Sequence, residues 1–209
     1  MINYFITEDG KVTKTDGITS GCWIDVVEPT SEERAWLRDE LGIAEEFVRS
    51  AFDDEETAHA DLDEDTGQAL IIIDCPFVED EDESVDKSIV QYDTHPLSFV
   101  FVPEQDYFIT LSMRRNETVA AFAHGAVRKV NTAHPTRFFL QVLLHVSQRY
   151  LVCLRSINRQ LREFERMNEG WCEFASLEEL ARVMWFKDLV ITVTVLHEAG
   201  VADSPLYPP

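Results

Sequence analysis

Basic residues, glycines, cysteines and long apolar runs are all scarce in this sequence, and each scarcity removes a class of function. Lys and Arg together number 18 against 39 Asp and Glu, a formal net charge of −21. A surface of that sign repels polyanions, so neither nucleic acid nor an anionic lipid surface is expected as a partner. Only eight glycines occur, with no Gly-rich phosphate loop among them, which excludes a backbone cradle for a nucleotide. No Gly-x-Ser-x-Gly elbow is present either. Cys22, Cys75, Cys153 and Cys172 are far apart and form no Cys-x-x-Cys pair, so they supply neither a zinc knuckle nor a disulfide framework. Free thiols in a reducing cytosol are the expectation.

The longest late apolar stretch, Val190–Leu196, is bounded by Lys187, Asp188 and Glu198. It falls short of the roughly 18 to 20 apolar residues that cross a bilayer. Met1–Gly10 carries Glu8 and Asp9 and lacks the basic-then-apolar order of a secretory signal. A cytoplasmic protein is expected, engaging a membrane only through segments absent from this chain.

What is present is ample apolar material: 45% of 209 residues, enough for a substantial core. Two stretches of β-forming residues flank Asp9-Gly10, a dipeptide suited to a tight hairpin turn: Asn3–Ile6 and Lys11–Thr15. Cys22–Val27 alternates as a strand. Thr30 and Glu33 have capping-box spacing and start a helix running to about Leu41, with Gly42 as its stop. Ile43–Phe52 predicts a second short helix. Ala69–Ile73 is continuously apolar and predicts a central strand buried on both faces. Three further strands are expected at Ser88–Tyr92, Leu97–Val102 and Tyr107–Ser112, with turns at Asp93–Pro96 and Pro103–Asp106. Asn116–Val127 predicts a helix.

From Thr136 the pattern changes. Phe139, Leu143, Val146, Tyr150, Cys153, Ile157, Leu161 and Phe164 recur at steps of three and four, which predicts one long helix to Met167. Asn168-Glu169-Gly170 would end it. A return helix from Leu177 to about His197, started by Ser176 and Glu179, would pack back antiparallel, and Pro205, Pro208 and Pro209 would break any helix beyond it. The fold class is therefore α+β (mixed α/β/α), a central mixed β-sheet flanked by helices and followed by a long antiparallel helical hairpin. Its expected units are an α/β body over 1–134, a hairpin over 135–199 and a Pro-containing tail over 200–209.

The order of these features resembles the CorA-like magnesium and cobalt transporter family. Trp23-Ile-Asp-Val-Val-Glu-Pro29 before a capped helix is similar to the opening of its cytosolic domain. Phe52-Asp-Asp-Glu-Glu56, Leu70–Ile73 and Tyr107-Phe-Ile-Thr-Leu111 follow in the family's order, and Phe139–Phe164 and Leu177–Leu196 resemble its first long helix and the start of the return helix. The resemblance implies a pentameric divalent-cation transporter whose cytosolic domains bind cations between neighbours and so regulate a membrane pore. Transport would need two membrane helices and a Gly-Met-Asn signature. Neither is in this sequence, and Arg166-Met167-Asn168 lacks the glycine.

Carboxylates suit such a role because hard cations take oxygen ligands and keep several waters. The candidate metal residues are Asp53, Asp54, Glu55 and Glu56, at the head of an acidic arc that continues through Asp61, Asp63, Glu64 and Asp65. The family's sensing carboxylate aligns near Ser50, one turn earlier. The same arc also reads as a solvated loop. Asp61-x-Asp63-x-Asp65 fails as an EF-hand loop, with Thr66 at position six and Ile72 at position twelve. Glu79–Glu83 reads as a self-repelling loop. His95 is placed in a turn, His145 beside the apolar stripe of the long helix, and His124 and His134 without neighbouring ligands.

The expected function is a regulatory domain that senses Mg2+, with Co2+ as a second cation, by weak binding, and that self-associates without catalysing a reaction. The competing reading is a stand-alone acidic interaction protein using the helical hairpin as its partner surface. A hydrolase with paired carboxylates has no motif in its favour.

Overall fold

A computed structural model describes residues 1–78, 92–103 and 105–167. Within them the chain forms β1 (Ile2–Glu8), β2 (Lys11–Thr15), β3 (Cys22–Val27), α1 (Ser31–Asp39), α2 (Glu45–Ala51), β4 (His59–Leu62), β5 (Ala69–Val78), β6 (Tyr92–Phe101), β7 (Tyr107–Ser112), α3 (Glu117–Ala123) and α4 (Pro135–Met167). The strands make one mixed sheet in the order β2-β1-β3-β7-β6-β5-β4. β3 and β7 pair in parallel, and the remaining neighbours are antiparallel.

Local chemistry accounts for the element boundaries. Asp9 and Gly10 both take positive φ, 49° and 75°, the geometry that a two-residue turn between twisted strands requires. Thr30 accepts from the Glu33 amide, and the Glu33 carboxylate accepts from the Thr30 amide, so the expected capping box starts α1. Gly42, at φ 66°, redirects the chain after α1 toward α2.

Alternation along the strands sorts the core into two layers. Cys22, Ile24, Val26, Leu70, Ile72, Val100, Ile109 and Leu111 face α1 and α2, where Leu37, Phe47 and Val48 meet them. Trp23, Ile71, Ile73, Leu97, Phe99 and Phe108 face the other way, under Phe122 of α3 and Phe138, Phe139, Val142 and Val146 of α4. Trp23 anchors this second layer, with ring centroids 4.8 Å from both Phe5 and Phe138. The architecture is the expected α/β/α sandwich. α4 continues for 33 residues, about 50 Å at 1.5 Å per residue.

Three expectations change. Ala69–Ile73 is buried on both faces, but it belongs to a longer strand that lies next to the sheet edge rather than at its centre. His59–Leu62, expected within the acidic arc, forms that edge as β4. Asp93–Pro96 is not a turn: β6 runs straight through it, with Asp93 opposite Phe77 and Pro96 opposite Asp74. The reason is positional. On β6, β7 pairs with Ser98–Phe101, and on β5, β4 pairs with Ala69–Ile72, so among the described residues Pro76 and Pro96 lie where β5 and β6 pair with each other alone. A proline that cannot donate is tolerated on such an open side.

α3 is shorter than expected and ends at Ala123. Cys22, Cys75 and Cys153 are free thiols. The Glu79–Glu83 run, Ser88–Gln91, the return helix, Cys172 and the proline tail lie outside the described residues.

Candidate functional site

The candidate site is a cleft of about 350 Å³ at the open flank of the β5–β6 ribbon. It is lined by Asp54, Glu55, Glu56 and Thr57 after α2, Asp74 of β5, Asp93–Pro96 of β6, and Arg114 beyond β7. Phe47, Val48, Ala51 and Phe52 are buried and fix the end of α2 against the sheet. The chain then turns at Asp53, whose carboxylate accepts from the Glu55 amide at 3.0 Å. Asp53 thus shapes the loop and does not line the cleft, whereas the other three expected residues do. Asp61, Asp63, Glu64 and Asp65 are absent from it. Asp63 instead closes the β4–β5 turn, accepting from the Asp65 amide and the Thr66 hydroxyl, and these bonds hold its carboxyl below the usual range.

Asp74, Asp93, His95 and Arg114 were not expected at the site. They are spread over 40 residues of sequence and meet because β5 pairs with β6 in a long register and β6 pairs in turn with β7, which Arg114 follows. The misplaced turn concealed that register.

His95 is buried, with 6% of its surface exposed, and packs edge-on against Phe77. Its protonation follows from its neighbour. The Asn116 carbonyl oxygen caps α3 by accepting from the Val119 amide, so the Asn116 amide nitrogen faces His95 Nε2, at 3.4 Å. An amide NH2 only donates; Nε2 is therefore the acceptor and Nδ1 carries the proton. Nδ1 is buried and has no hydrogen-bond partner among the described residues. Burial, followed by the Arg114 charge, lowers the His95 pKa, so the ring is neutral at physiological pH.

The cleft is thus an open, strongly acidic surface, with Arg114 as the cation among its described lining residues. Among the described residues, no three His, Cys, Asp or Glu side chains converge closely enough to hold a metal ion. No described helix is long and apolar enough to cross a membrane.

The fold and cleft define an acidic α/β/α domain with a long exit helix. The family is shown by sequence: the model of the CorA-like Mg2+ transporter protein matches residues 19–184, and the chain belongs to that family. The complete structure of the CorA magnesium transporter from Methanocaldococcus jannaschii matches with a TM-score of 0.67 and 19% identity, covering 100% of this chain and 64% of that one. The soluble domain of the same transporter gives a TM-score of 0.63 at 19% identity, over 100% of this chain and 81% of that chain. The ZntB cytoplasmic domain from Vibrio parahaemolyticus RIMD 2210633 gives 0.53 at 16% identity, over 80% and 66%. At these identities the likeness is one of fold. The chain spans less than two thirds of the complete transporter. No curated protein sequence matches it.

Proposed function

We propose that this chain is the cytosolic regulatory part of a CorA-like divalent-cation transporter, one that senses cations, self-associates and catalyses nothing. The body over 1–134 would carry the sensor, and the helices over 135–199 would connect it to the pore-forming parts of an intact transporter, followed by a tail over 200–209. Family membership supports the transport context. The single observation that carries the sensing role is the gathering of Asp54, Glu55 and Glu56 with Asp74 and Asp93 around one cleft.

Mg2+ is the cation this chemistry favours. It retains much of its water and needs only one or two carboxylates, which an open acidic cleft supplies. Co2+ would bind on the same oxygens. The His95 imidazole adds little for softer metals, because Asn116 occupies Nε2 and the proton occupies Nδ1. Asp53 contributes by holding the loop that presents Asp54–Glu56.

Isothermal titration with Mg2+ tests this reading. Wild-type chain should bind weakly, and Asp54→Asn with Glu55→Gln and Glu56→Gln should weaken binding at least tenfold. Equal affinity in the triple variant would remove the cleft from the account.

A further inference from the structure

Arg114 places a permanent positive charge in a cleft whose other charged lining residues are Asp54, Glu55, Glu56, Asp74 and Asp93, with the neutral His95 beside them. It lies two residues beyond β7 and its side chain is exposed. Its guanidinium carbon is 5.2 Å from the centroid of the Phe77 ring, and that ring meets His95 edge-on with centroids 5.4 Å apart. Register puts Phe77 there, because it lies on β5 opposite Asp93 of β6. A guanidinium is weakly hydrated and rests favourably on an aromatic face, so Phe77 holds the charge at one wall of the cleft. The charge is also permanent, since arginine is not deprotonated in proteins.

His95 shows that this charge and the carboxylates share one small region. Burial is the first cause of its lowered pKa and the Arg114 charge the second, while Asp54 and Asp93 oppose both. One cation and two carboxylates therefore act on a single buried ring. A divalent ion drawn to Asp54 and Asp93 enters the field of Arg114 as well.

We propose that Arg114 sets the cation affinity of the cleft, as a tethered cation that opposes the entry of a divalent ion and keeps its binding weak. This inference rests on the cation-binding reading of the cleft given above and deepens it. The carboxylates attract the ion, and Arg114 subtracts from that attraction without occupying a ligand position. Repulsion between a single and a double positive charge about 6 to 8 Å apart in water-like surroundings weakens binding roughly three- to tenfold at low salt. Added salt screens it. Phe77 is the positioning residue in this arrangement, and Arg114 is the affinity-setting one. A sensor of an abundant cation needs such a brake, because an unopposed cluster of carboxylates would stay saturated and report nothing.

The test is isothermal titration of the whole chain with Mg2+, at low and at high monovalent salt. R114Q removes the charge and should bind roughly three- to tenfold more tightly than wild type at low salt, with that advantage shrinking at high salt. R114K keeps the charge and should stay within about twofold of wild type. Arg114 is exposed, so both variants should melt near the wild-type temperature. Binding by R114Q alone, with wild type too weak to detect, would also support the inference. Wild-type binding with R114Q equal or weaker would overturn it and leave the cleft reading standing. R114K as tight as R114Q would overturn it too, by showing that the shape of the side chain matters and its charge does not. Absence of binding in wild type and R114Q alike would overturn the cleft reading itself, and this inference with it.

Discussion

The Thr110 hydroxyl donates to the Asp25 carboxylate across 2.9 Å inside the sheet, and it accepts in turn from the Trp23 indole N–H at 2.8 Å. Trp23 and Asp25 are alternate residues of β3, and Asp25 lies opposite Thr110 in the parallel β3–β7 register. An indole nitrogen can only donate, so the hydroxyl proton of Thr110 is left for Asp25 and the chain of bonds has one direction. The Trp23-x-Asp25 pattern thus has a physical role in this chain: it ties β3 to β7 from within the sheet.

Asp25 should make stability fall as pH rises. Its pKa is raised to about 6, first by burial, against which bonds from Thr110 and Asn3 work. A carboxyl whose folded pKa exceeds its unfolded one contributes stability that is full below about pH 4. That contribution is lost as pH rises through 6, on the order of 3 kcal/mol in all. Asp25→Asn should remove this component, so the difference in melting temperature between variant and wild type should shift in the variant's favour from pH 4 to pH 7. A difference constant with pH would show that Asp25 does not titrate in this window.

Thr110→Val should cost about 2 to 4 kcal/mol in urea denaturation, because it strands a buried indole donor and a buried carboxyl together. Thr110→Ser keeps the hydroxyl and should cost less than about 1.5 kcal/mol. Equal losses would mean that the methyl packing, and not the bond chain, matters at this position.

Thr30→Ala should lower stability by about 1 kcal/mol, measured by thermal melting, because both bonds of the α1 capping box depend on that residue. Phe138→Ala should cost about 3 to 5 kcal/mol, since it empties the contact between α4 and Trp23, Phe108 and Phe122. Denaturation midpoints near wild type would show that α4 is not part of the cooperative core.

Much of this fold was legible in the sequence where one local rule decided the outcome. Asp9-Gly10 specified a hairpin, Thr30 with Glu33 specified a helix start, and the alternation in Cys22–Val27 specified a strand. The stripe through Phe139 and Val146 specified the long helix, and the order of these segments identified the family. Legibility failed where the environment overrode a local signal. Pro96 reads as a turn, yet it is accommodated because, among the described residues, the first half of β6 has a neighbour on one side only. His59–Leu62 is too short and too polar to announce a strand, and it forms because β5 supplies a partner for its backbone. The site suffered most from these two errors. Asp54, Glu55 and Glu56 stood out as a run, but Asp74, Asp93 and His95 join them through the pairing of β5 with β6, and Arg114 through the pairing of β6 with β7.

The proposed sensing role requires the cleft to bind divalent cations in the native state. Thermal melting with and without saturating Mg2+, at matched ionic strength, tests it most directly. A ligand that binds only the folded chain adds about 1.4 kcal/mol at ten times its Kd, which for a domain of this size raises the midpoint by roughly 2 to 4 °C. Wild type should show that rise, and Asp54→Asn with Glu55→Gln and Glu56→Gln should lose it. An unchanged wild-type midpoint, or a rise that monovalent salt reproduces, would contradict it.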